Sequence, residues 1–201
     1  MDIINFYEEI DKLKRMQRSW TKIENIERGE SVADHSFATA MLAFLLSKDR
    51  KDINRDKVVK MMLVHDIAES HVGDILVDWK LQALGITAGD LNDGSSHGVT
   101  REEKLKIERA ACEQIALSIG DEDIIKLWDE FENGDSPEAI FCRSIDKLEL
   151  LLEIYQYEKR SGKERDLHFT HHKNIEQIKD NHVKQIYEEL MRRRNGGNAP
   201  K

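Results

Sequence analysis

Three segments of this sequence place ionisable side chains within strongly apolar runs. His35 lies at the start of one run, the adjacent pair His65 and Asp66 ends a second, and Asp146 lies inside a third. Burial of an unpaired carboxylate is costly, so each of these groups needs a cation or strong hydrogen-bond donors. Two imidazoles and two carboxylates offer nitrogen and oxygen ligands together, a set that suits a divalent metal ion with positions left for water.

Each of these residues, taken alone, has a simpler interpretation. A single histidine is more commonly a core or surface residue with satisfied hydrogen bonds, and a single buried aspartate can cap a helix or join an ion pair. Adjacent helical residues point about 100° apart, so His65 and Asp66 can reach one ion only at the surface or end of a helix. The segment IAESHVGD that follows them predicts that the helix ends there.

The order of the motifs resembles that of a known enzyme family. ESVADHS, then HDIAESHVGD, then an aspartate within FCRSIDKLELLLEIYQYE follow one another inside residues 5–160. This order is similar to the HD-domain metal-dependent phosphohydrolases, and the surrounding sequence resembles their 5'-deoxynucleotidase branch. The resemblance implies an all-α HD domain, a divalent metal ion and removal of phosphate from deoxyribonucleoside 5'-monophosphates, with a metal-activated water as nucleophile.

The resemblance implies which residues hold the metal ion. These are His35, His65, Asp66 and Asp146. Glu69, three residues after Asp66 and therefore on the same helical face, would orient or deprotonate the attacking water. A divalent cation would polarise a phosphoryl oxygen and lower the pKa of its bound water. The mixed ligands suit Co²⁺, Mn²⁺, Fe²⁺, Zn²⁺ or Mg²⁺, and ligand type does not choose among these ions.

Three residues are expected at the substrate by the same resemblance. Arg18 would bind the phosphate, because a guanidinium can donate two parallel hydrogen bonds to phosphate oxygens. Trp20 would pack against the sugar where a 2'-hydroxyl would lie. Asp74 would contact the sugar or hold a second, weaker metal ion together with Glu69. The residues alone leave other interpretations open: Arg18 as a solvated charge in KLKRMQR, Trp20 as a core anchor, and Glu69 as an ordinary carboxylate at a helix end.

Residues 85–98, GITAGDLNDGSSHG, form a glycine-rich, weakly patterned stretch. We predict a mobile surface loop or a lid here. Bacterial members of the resembled family carry a proline-containing segment after the Gly-Asp pair, and this chain has none, which bears on substrate preference more than on reaction class. His168, His171 and His172 form a local cluster that we interpret as a solvated loop, because no acidic partner is evident.

Helices must position all of these residues. Two prolines and eleven glycines in 201 residues leave few helix breakers, and we find no strand-like alternation. We therefore expect a single all-α domain, an HD-domain helical bundle of about seven helices, over residues 1–194, followed by a disordered tail at 195–201. The helix after Ser31 is apolar on nearly every face and is expected to be central. Apolar spacing and caps predict helices at 3–16, from 31 onward, 56–70, 100–119, 121–131, 137–160 and 175–190.

Composition limits the partners. Thirty-one basic against thirty-nine acidic residues give a net charge of −8, which argues against a nucleic-acid partner. No stretch approaches the roughly 18 apolar residues of a membrane span, and residues 1–20 lack signal-peptide features. Cys112 and Cys142 lack metal-type spacing, and we expect buried free thiols in a cytoplasmic protein. The resemblance and the amphipathic helices near the chain end together predict a homodimer.

Two alternatives to the leading function stay open. The first is an HD hydrolase that acts on another nucleotide, such as a triphosphate or an alarmone. Longer polyphosphates require more cations near the site, and only Arg18, Arg143 and Lys147 are candidates. The second is a non-catalytic helical interaction protein that retains the metal ion.

Overall fold

Helices dominate the computed structural model, which describes residues 2–91, 93–165 and 175–196. Within these ranges seven α-helices span ten residues or more, three α-helices are shorter, and a 3₁₀ turn covers Ala88–Asp90. The predictions of an all-α fold and of about seven helices are confirmed. In chain order the helices are α1 Ile3–Arg15, α2 Ser19–Ile23, α3 Val32–Leu46, α4 Arg55–Val64, α5 Glu69–Val72, α6 Asp78–Leu84, α7 Arg101–Ile119, α8 Asp123–Asn133, α9 Pro137–Ser161 and α10 Asn181–Arg194.

Side-chain caps determine where the main helices begin. The Ser31 hydroxyl accepts from the Asp34 N–H at 3.1 Å, and the Ser31 N–H donates to the Asp34 carboxylate at 2.8 Å. Thr100 and Glu103 form the same reciprocal box at α7, and Ser136 caps α9 just before a proline. Each cap satisfies backbone N–H groups that have no partner within the helix. The predicted starts of α3, α7 and α9 are confirmed.

The core consists of two clusters joined by the longer helices. In the first, α9 is surrounded by α3, α4, α8 and α10, and its inner face is fully buried. The second lies between α1, α5 and α7 around Cys112 and Ile115. Cys112 and Cys142 are both buried free thiols, as predicted. Among the described residues, no helix has the length and apolar character needed to cross a bilayer. The inner face of α9 comprises Phe141, Ile145, Leu148, Leu151 and Ile154.

Several predicted boundaries were wrong. The helix expected over 56–70 ends at Val64, and residues 65–68 form turns before α5. α6 lies in a stretch for which no helix was expected. The last helix begins at Asn181 rather than at 175, because the Asp180 carboxylate accepts from the N–H groups of His182 and Val183. Residues 197–201 of the predicted tail and the His168, His171 and His172 cluster lie outside the described residues.

The helix α3, which we expected to be central because it is apolar on nearly every face, is buried on one side only. His35 and Ala43 on its inner side are fully buried. Its outer side exposes four large apolar side chains, with 67% exposure for Phe37 and 58% for Leu45. Because helical residues three and four apart share a face, these side chains form one stripe, here called the α3 face. The α3 face consists of Phe37, Met41, Phe44 and Leu45.

Candidate metal and phosphate site

Four predicted ligands converge from α3, from the turn after α4 and from α9. The Nε2 atom of His35 lies 3.3 Å from Asp146 Oδ1, 3.6 Å from Asp66 Oδ2 and 3.3 Å from His65 Nε2. His65 Nε2 is in turn 3.2 Å from Asp66 Oδ2. Two ligands that each lie about 2.0–2.2 Å from one ion are at most about 4.4 Å apart. The separations among His35, His65 and Asp66 therefore fit a shared divalent cation, and Asp146 adjoins this group through its contact with His35.

The end of α4 explains how adjacent residues reach one point. In a continuous helix His65 and Asp66 would diverge by about 100°. Here α4 ends at Val64, and the turn over residues 65–68 aims both side chains at His35. The His65 ring is also held from behind, because its Nδ1–H donates to the Met62 carbonyl at 2.8 Å. Its Nε2 lone pair is thus available to a metal ion.

A carboxylate that the sequence analysis missed positions the other imidazole. His35 is fully buried, and its Nδ1–H donates to Glu149 Oε2 at 2.6 Å. Burial and Arg18 oppose a charged ring, but Glu149 and Asp146 outweigh both and raise the pKa of His35 to about 10. A divalent cation would compete with that proton for Nε2. Glu149 follows Asp146 by three residues on α9, and this spacing was the available signal.

Trp20 lies in the core. Its side chain is 6% exposed, its indole N–H donates to Glu30 Oε1 at 3.1 Å, and its ring meets Tyr157 edge-on at 5.6 Å between centroids. Burial and the nearby Glu149 raise the pKa of Glu30 to about 7. Trp20 is not among the residues that line the cavity beside the metal ligands. Of the two interpretations of Trp20, the observed contacts are those of a core anchor.

Arg18 links the metal ligands to the Gly73–Asp74 turn. One guanidinium N–H donates to Asp66 Oδ2 at 3.0 Å, and Nε lies 3.9 Å from Asp74 Oδ2. Asp74 is fixed independently, because its carboxylate accepts the Ser19 N–H at 2.8 Å. The Arg18 Nε–H is buried and, among the described residues, has no hydrogen-bond acceptor. A buried donor without a partner is costly, and an anionic ligand would supply the acceptor.

Glu69 presents an unpaired carboxylate oxygen beside Asp66. Its side chain is 2% exposed, and its Oε2 has no hydrogen-bond donor within the described part of the chain. Burial and the neighbouring carboxylates of Asp66 and Asp74 raise its pKa well above the usual value. A raised pKa makes a carboxylate a stronger base, which suits the role predicted for this residue, to accept a proton from water.

An open cavity of about 130 Å³ adjoins the ligands and contains more cations than the sequence analysis identified. Six acidic residues also line it, Asp66, Glu69, Asp74 and Asp146 among them. Lys80, Arg101 and Lys104 were missed because α6 and α7 approach the site only through tertiary packing. The charged side chains give the cavity the means to bind an anion next to a metal ion. The six cations that line it are Arg18, Lys80, Arg101, Lys104, Arg143 and Lys147.

Hydrogen bonds hold the glycine-rich stretch at 85–98 against the wall of this cavity. Asp93 accepts from Lys22 Nζ at 2.5 Å and from His97 Nε2–H at 2.9 Å. His97 Nδ1 accepts the Leu76 N–H at 3.1 Å, and the Gly98 N–H donates to the Leu76 carbonyl at 2.8 Å. The stretch predicted as a mobile loop or lid thus braces the segment that follows Asp74; Asn92 within it lies outside the described residues.

Substitution of Gly73 by alanine is expected to destabilise this part of the fold. Gly73 has φ +81° and ψ 169°, a region that only glycine adopts readily, and a Cβ there would overlap the Ser95 side chain. Holding alanine in this backbone conformation should lower the free energy of unfolding by about 1–3 kcal/mol, and the overlap with Ser95 should lower it further. Urea unfolding measures the change. Gly120→Ala is the matched control, because Gly120 also has a positive φ, +73°, but a Cβ there would meet open space. This variant should lose about 1 kcal/mol of the free energy of unfolding. Equal losses would show that Ser95 does not constrain Gly73.

Comparison with known proteins places this arrangement in context. A family model described as "HD domain" matches residues 10–187. The 5'-deoxynucleotidase HDDC2 of Xenopus laevis is 31% identical over 198 residues, which cover 93% of this chain and 87% of that protein. The 5'-deoxynucleotidase hdd1 of Schizosaccharomyces pombe is 31% identical over 174 residues, 83% of this chain and 78% of that protein. The segment matched by the family model contains all four predicted metal ligands.

Solved structures share the fold. The PH0347 protein of Pyrococcus horikoshii superposes with a TM-score of 0.69 at 28% identity, covering 94% of this chain and 96% of that one. A protein of Magnetospirillum magnetotacticum, described as a predicted metal-dependent phosphohydrolase, superposes with a TM-score of 0.65 at 25% identity, covering 98% and 96%. The helical architecture is therefore common to chains from distant organisms.

Proposed function

This chain belongs to the HD-domain family, and from that premise we propose that it is a metal-dependent 5'-deoxynucleotidase. It removes the phosphate from deoxyribonucleoside 5'-monophosphates. The observation that carries the proposal is the convergence of His35, His65, Asp66 and Asp146 beside a cavity in which the Arg18 Nε–H lacks an acceptor. The names of the relatives support the substrate class, since those from Xenopus laevis and Schizosaccharomyces pombe are 5'-deoxynucleotidases.

The residues present fit a divalent cation. Both imidazoles have their Nδ1–H engaged by an oxygen, from Glu149 for His35 and from Met62 for His65, so each Nε2 can act as a ligand. Together with Asp66 and Asp146 they would hold the ion, which would supply a polarised phosphoryl oxygen and a water of lowered pKa. The nitrogen and oxygen donors are compatible with Co²⁺, Mn²⁺, Fe²⁺, Zn²⁺ or Mg²⁺.

The surrounding residues divide the remaining work. Glu69 orients the attacking water and accepts its proton, because it lines the cavity and its Oε2 has no hydrogen-bond donor among the described residues. The water oxygen bonds to phosphorus as the bond to the 5'-oxygen breaks, and the proton that Glu69 took from the water can pass to the 5'-oxygen, which leaves as the hydroxyl group of the deoxyribonucleoside. Arg18 neutralises the phosphate through its unpaired Nε–H. Asp74, whose pKa is lowered because Arg18 and Lys104 outweigh burial, stays ionised and can accept a hydrogen bond from the sugar or share a second, weaker ion with Glu69.

One observation supports a second candidate substrate. Six acidic residues balance the charge of the six cations that line the cavity, but these cations still exceed the three anticipated, and a nucleoside triphosphate or an alarmone has more phosphate groups for cations to contact than a monophosphate. The cavity volume of about 130 Å³ favours the shorter ligand, since pockets that enclose whole ligands are roughly 300–1,000 Å³. We therefore place the phosphate inside the cavity and the base at its mouth.

Phosphate release from a nucleotide panel tests the proposal. dAMP, AMP, dATP and dTMP are offered to the metal-free protein and to protein loaded separately with Co²⁺, Mn²⁺, Zn²⁺ and Mg²⁺. We expect metal-dependent release from dAMP and dTMP, with AMP slower. Faster turnover of dATP than of dAMP would favour the second candidate substrate class over the monophosphates. Metal binding with no release from any nucleotide would favour a non-catalytic interaction protein.

We also propose that two copies of the chain associate through the α3 face. Monomers rarely expose so many large apolar side chains on one helix face, and a second copy offers the same stripe to cover it. The Arg55 guanidinium lies 3.8 Å from the centre of the Phe44 ring and flanks the stripe. We further propose a cytoplasmic location, because both buried cysteines are free thiols. We also propose that the protein has no nucleic-acid partner, because its net charge is −8.

Two charged substitutions on the α3 face are expected to separate the copies. Phe37→Glu combined with Leu45→Glu places carboxylates where the two stripes would meet, and burying them unpaired would cost more than the contact gains. Light scattering should give twice 23.4 kDa for the parent and 23.4 kDa for the double variant. Leu117→Glu, at an 81% exposed site on α7, should leave the parent mass unchanged. A monomeric parent would refute the proposal.

A further inference from the structure

One face of α7 lines the cavity, and none of its residues has so far been assigned a contact with the substrate. Lys104 and Leu105 lie three and four residues after Arg101, and Glu108 lies four and three residues after them, so the four residues share one side of the helix. All four line the cavity. The other side of α7 packs into the second core cluster through residues such as Cys112. The helix is thus anchored on one side and presents two cations to the cavity on the other.

Lys104 is held firmly at this face. Its Nζ donates to the Ile75 carbonyl at 3.1 Å and lies 3.2 Å from Glu108 Oε1. An ammonium group has three N–H donors, and these two contacts use two of them. The Lys104 side chain is 23% exposed and lines the cavity, so its third donor can reach the cavity. Ile75 immediately follows Asp74, which places the ammonium next to the predicted substrate residues.

The other two lysines of the cavity are placed differently. Lys147 donates to Asp146 Oδ2 at 2.7 Å and is therefore engaged by a predicted metal ligand. Lys80 Nζ lies 6.0 Å from the centre of the Trp79 ring and, among the described residues, has no hydrogen bond or ion pair. Ordering a long side chain upon binding costs entropy, and a cation already held in place avoids that cost. Of the three lysines, Lys104 is the one that is held in place without being engaged by a predicted metal ligand.

We propose that Lys104 is a further substrate-binding residue, which donates its third ammonium N–H to a phosphate oxygen of the monoester, and that Glu108 positions it. This inference rests on the proposed function. A phosphate monoester dianion has three non-bridging oxygens, more than the metal ion and Arg18 need to contact. A second fixed cation would neutralise charge that a single guanidinium leaves uncompensated. The alternative is that Lys104 only balances the acidic residues around it.

Binding of inorganic phosphate to the metal-loaded protein separates the two interpretations. Isothermal titration should give a Kd about 10- to 100-fold weaker for Lys104→Met than for the parent, the range expected for one charge-assisted hydrogen bond. The matched control is Lys106→Met, on the same helix but paired with Glu102 at the surface, which should bind phosphate as the parent does. Lys104→Gln, which keeps a polar side chain, serves if the methionine variant does not fold. An unchanged Kd in a folded Lys104 variant would overturn the proposal.

Glu108→Gln tests the positioning role. The amide oxygen can still accept a hydrogen bond from Lys104 but lacks the negative charge. We therefore expect a smaller increase in the phosphate Kd than for Lys104→Met. The KM for dAMP should rise in parallel, and kcat should be nearly unchanged. A fall in kcat without a change in phosphate Kd would contradict the positioning role. Phosphate binding does not require turnover. A parent that hydrolyses no nucleotide would therefore refute the proposed function, while the Kd comparison would still decide the role of Lys104.

Discussion

Replacement of His65 or Asp66 by alanine is expected to remove the bound metal ion and the hydrolytic activity together. Each side chain offers one ligand atom to a set of four, and His65 Nε2 and Asp66 Oδ2 lie 3.2 Å apart at its centre. Loss of even an outer residue that orients a ligand costs about 10- to 100-fold in metal affinity or activity, and loss of a ligand should cost more. Elemental analysis of the purified variants gives the ions per chain, and phosphate release gives the activity.

The neighbouring histidine supplies the control for this experiment. His71 follows on α5 but contacts Glu9 at 3.1 Å and lies away from the ligand set. His71→Ala should therefore retain metal and turn over dAMP at nearly the parent rate. Full metal occupancy in both His65→Ala and Asp66→Ala would falsify the assigned ligands. Loss of metal in the His71 variant would indicate that any disturbance of this region releases the ion.

Glu69→Gln is expected to keep the metal ion and lose turnover. The amide has nearly the same shape as the carboxylate but cannot take a proton from the attacking water. General acid–base groups contribute roughly 10²–10⁴-fold, which sets the expected fall in kcat. Glu132→Gln makes the same change in the same cavity, at a carboxylate paired with Arg143, and should alter kcat only a few-fold. A Glu69→Gln enzyme with near-parent activity would reassign Glu69 to structure or substrate binding.

The pH profile gives a second measure of the Glu69 role. A general base works only when it is ionised, so kcat/KM should fall as the pH drops through the pKa of Glu69. Burial and the carboxylates of Asp66 and Asp74 raise that pKa, so this acid limb should lie at higher pH than it would for an ordinary glutamate. The limb should disappear in Glu69→Gln, whose residual activity has no carboxylate to protonate at this position. An unchanged acid limb in the variant would assign the titration to another group.

Local sequence signals predicted much of the fold and of the ligand set. The boxes formed by Ser31 with Asp34 and by Thr100 with Glu103 span three residues each, so helix starts were readable without any tertiary contact. The adjacent pair His65 and Asp66 was recognisable for a related reason, since polar groups inside apolar runs demand a partner. The predicted helix boundaries were wrong where a contact distant in sequence, or one particular cap, sets the end of the helix. The Asp180 cap at the beginning of α10 is an example.

The chain's own sequence thus determined the helical class, the main helix starts and the four residues that could bind a metal ion. Only the tertiary structure decided which residues surround them. Glu149 meets His35 across 114 positions, and α7 carries Lys104 and Glu108 to the cavity wall. Periodicity and capping depend on residues within four positions of one another, whereas long-range neighbours depend on how whole helices pack. For the same reason the pattern of α3 revealed its apolar character but not that one side of it faces outward.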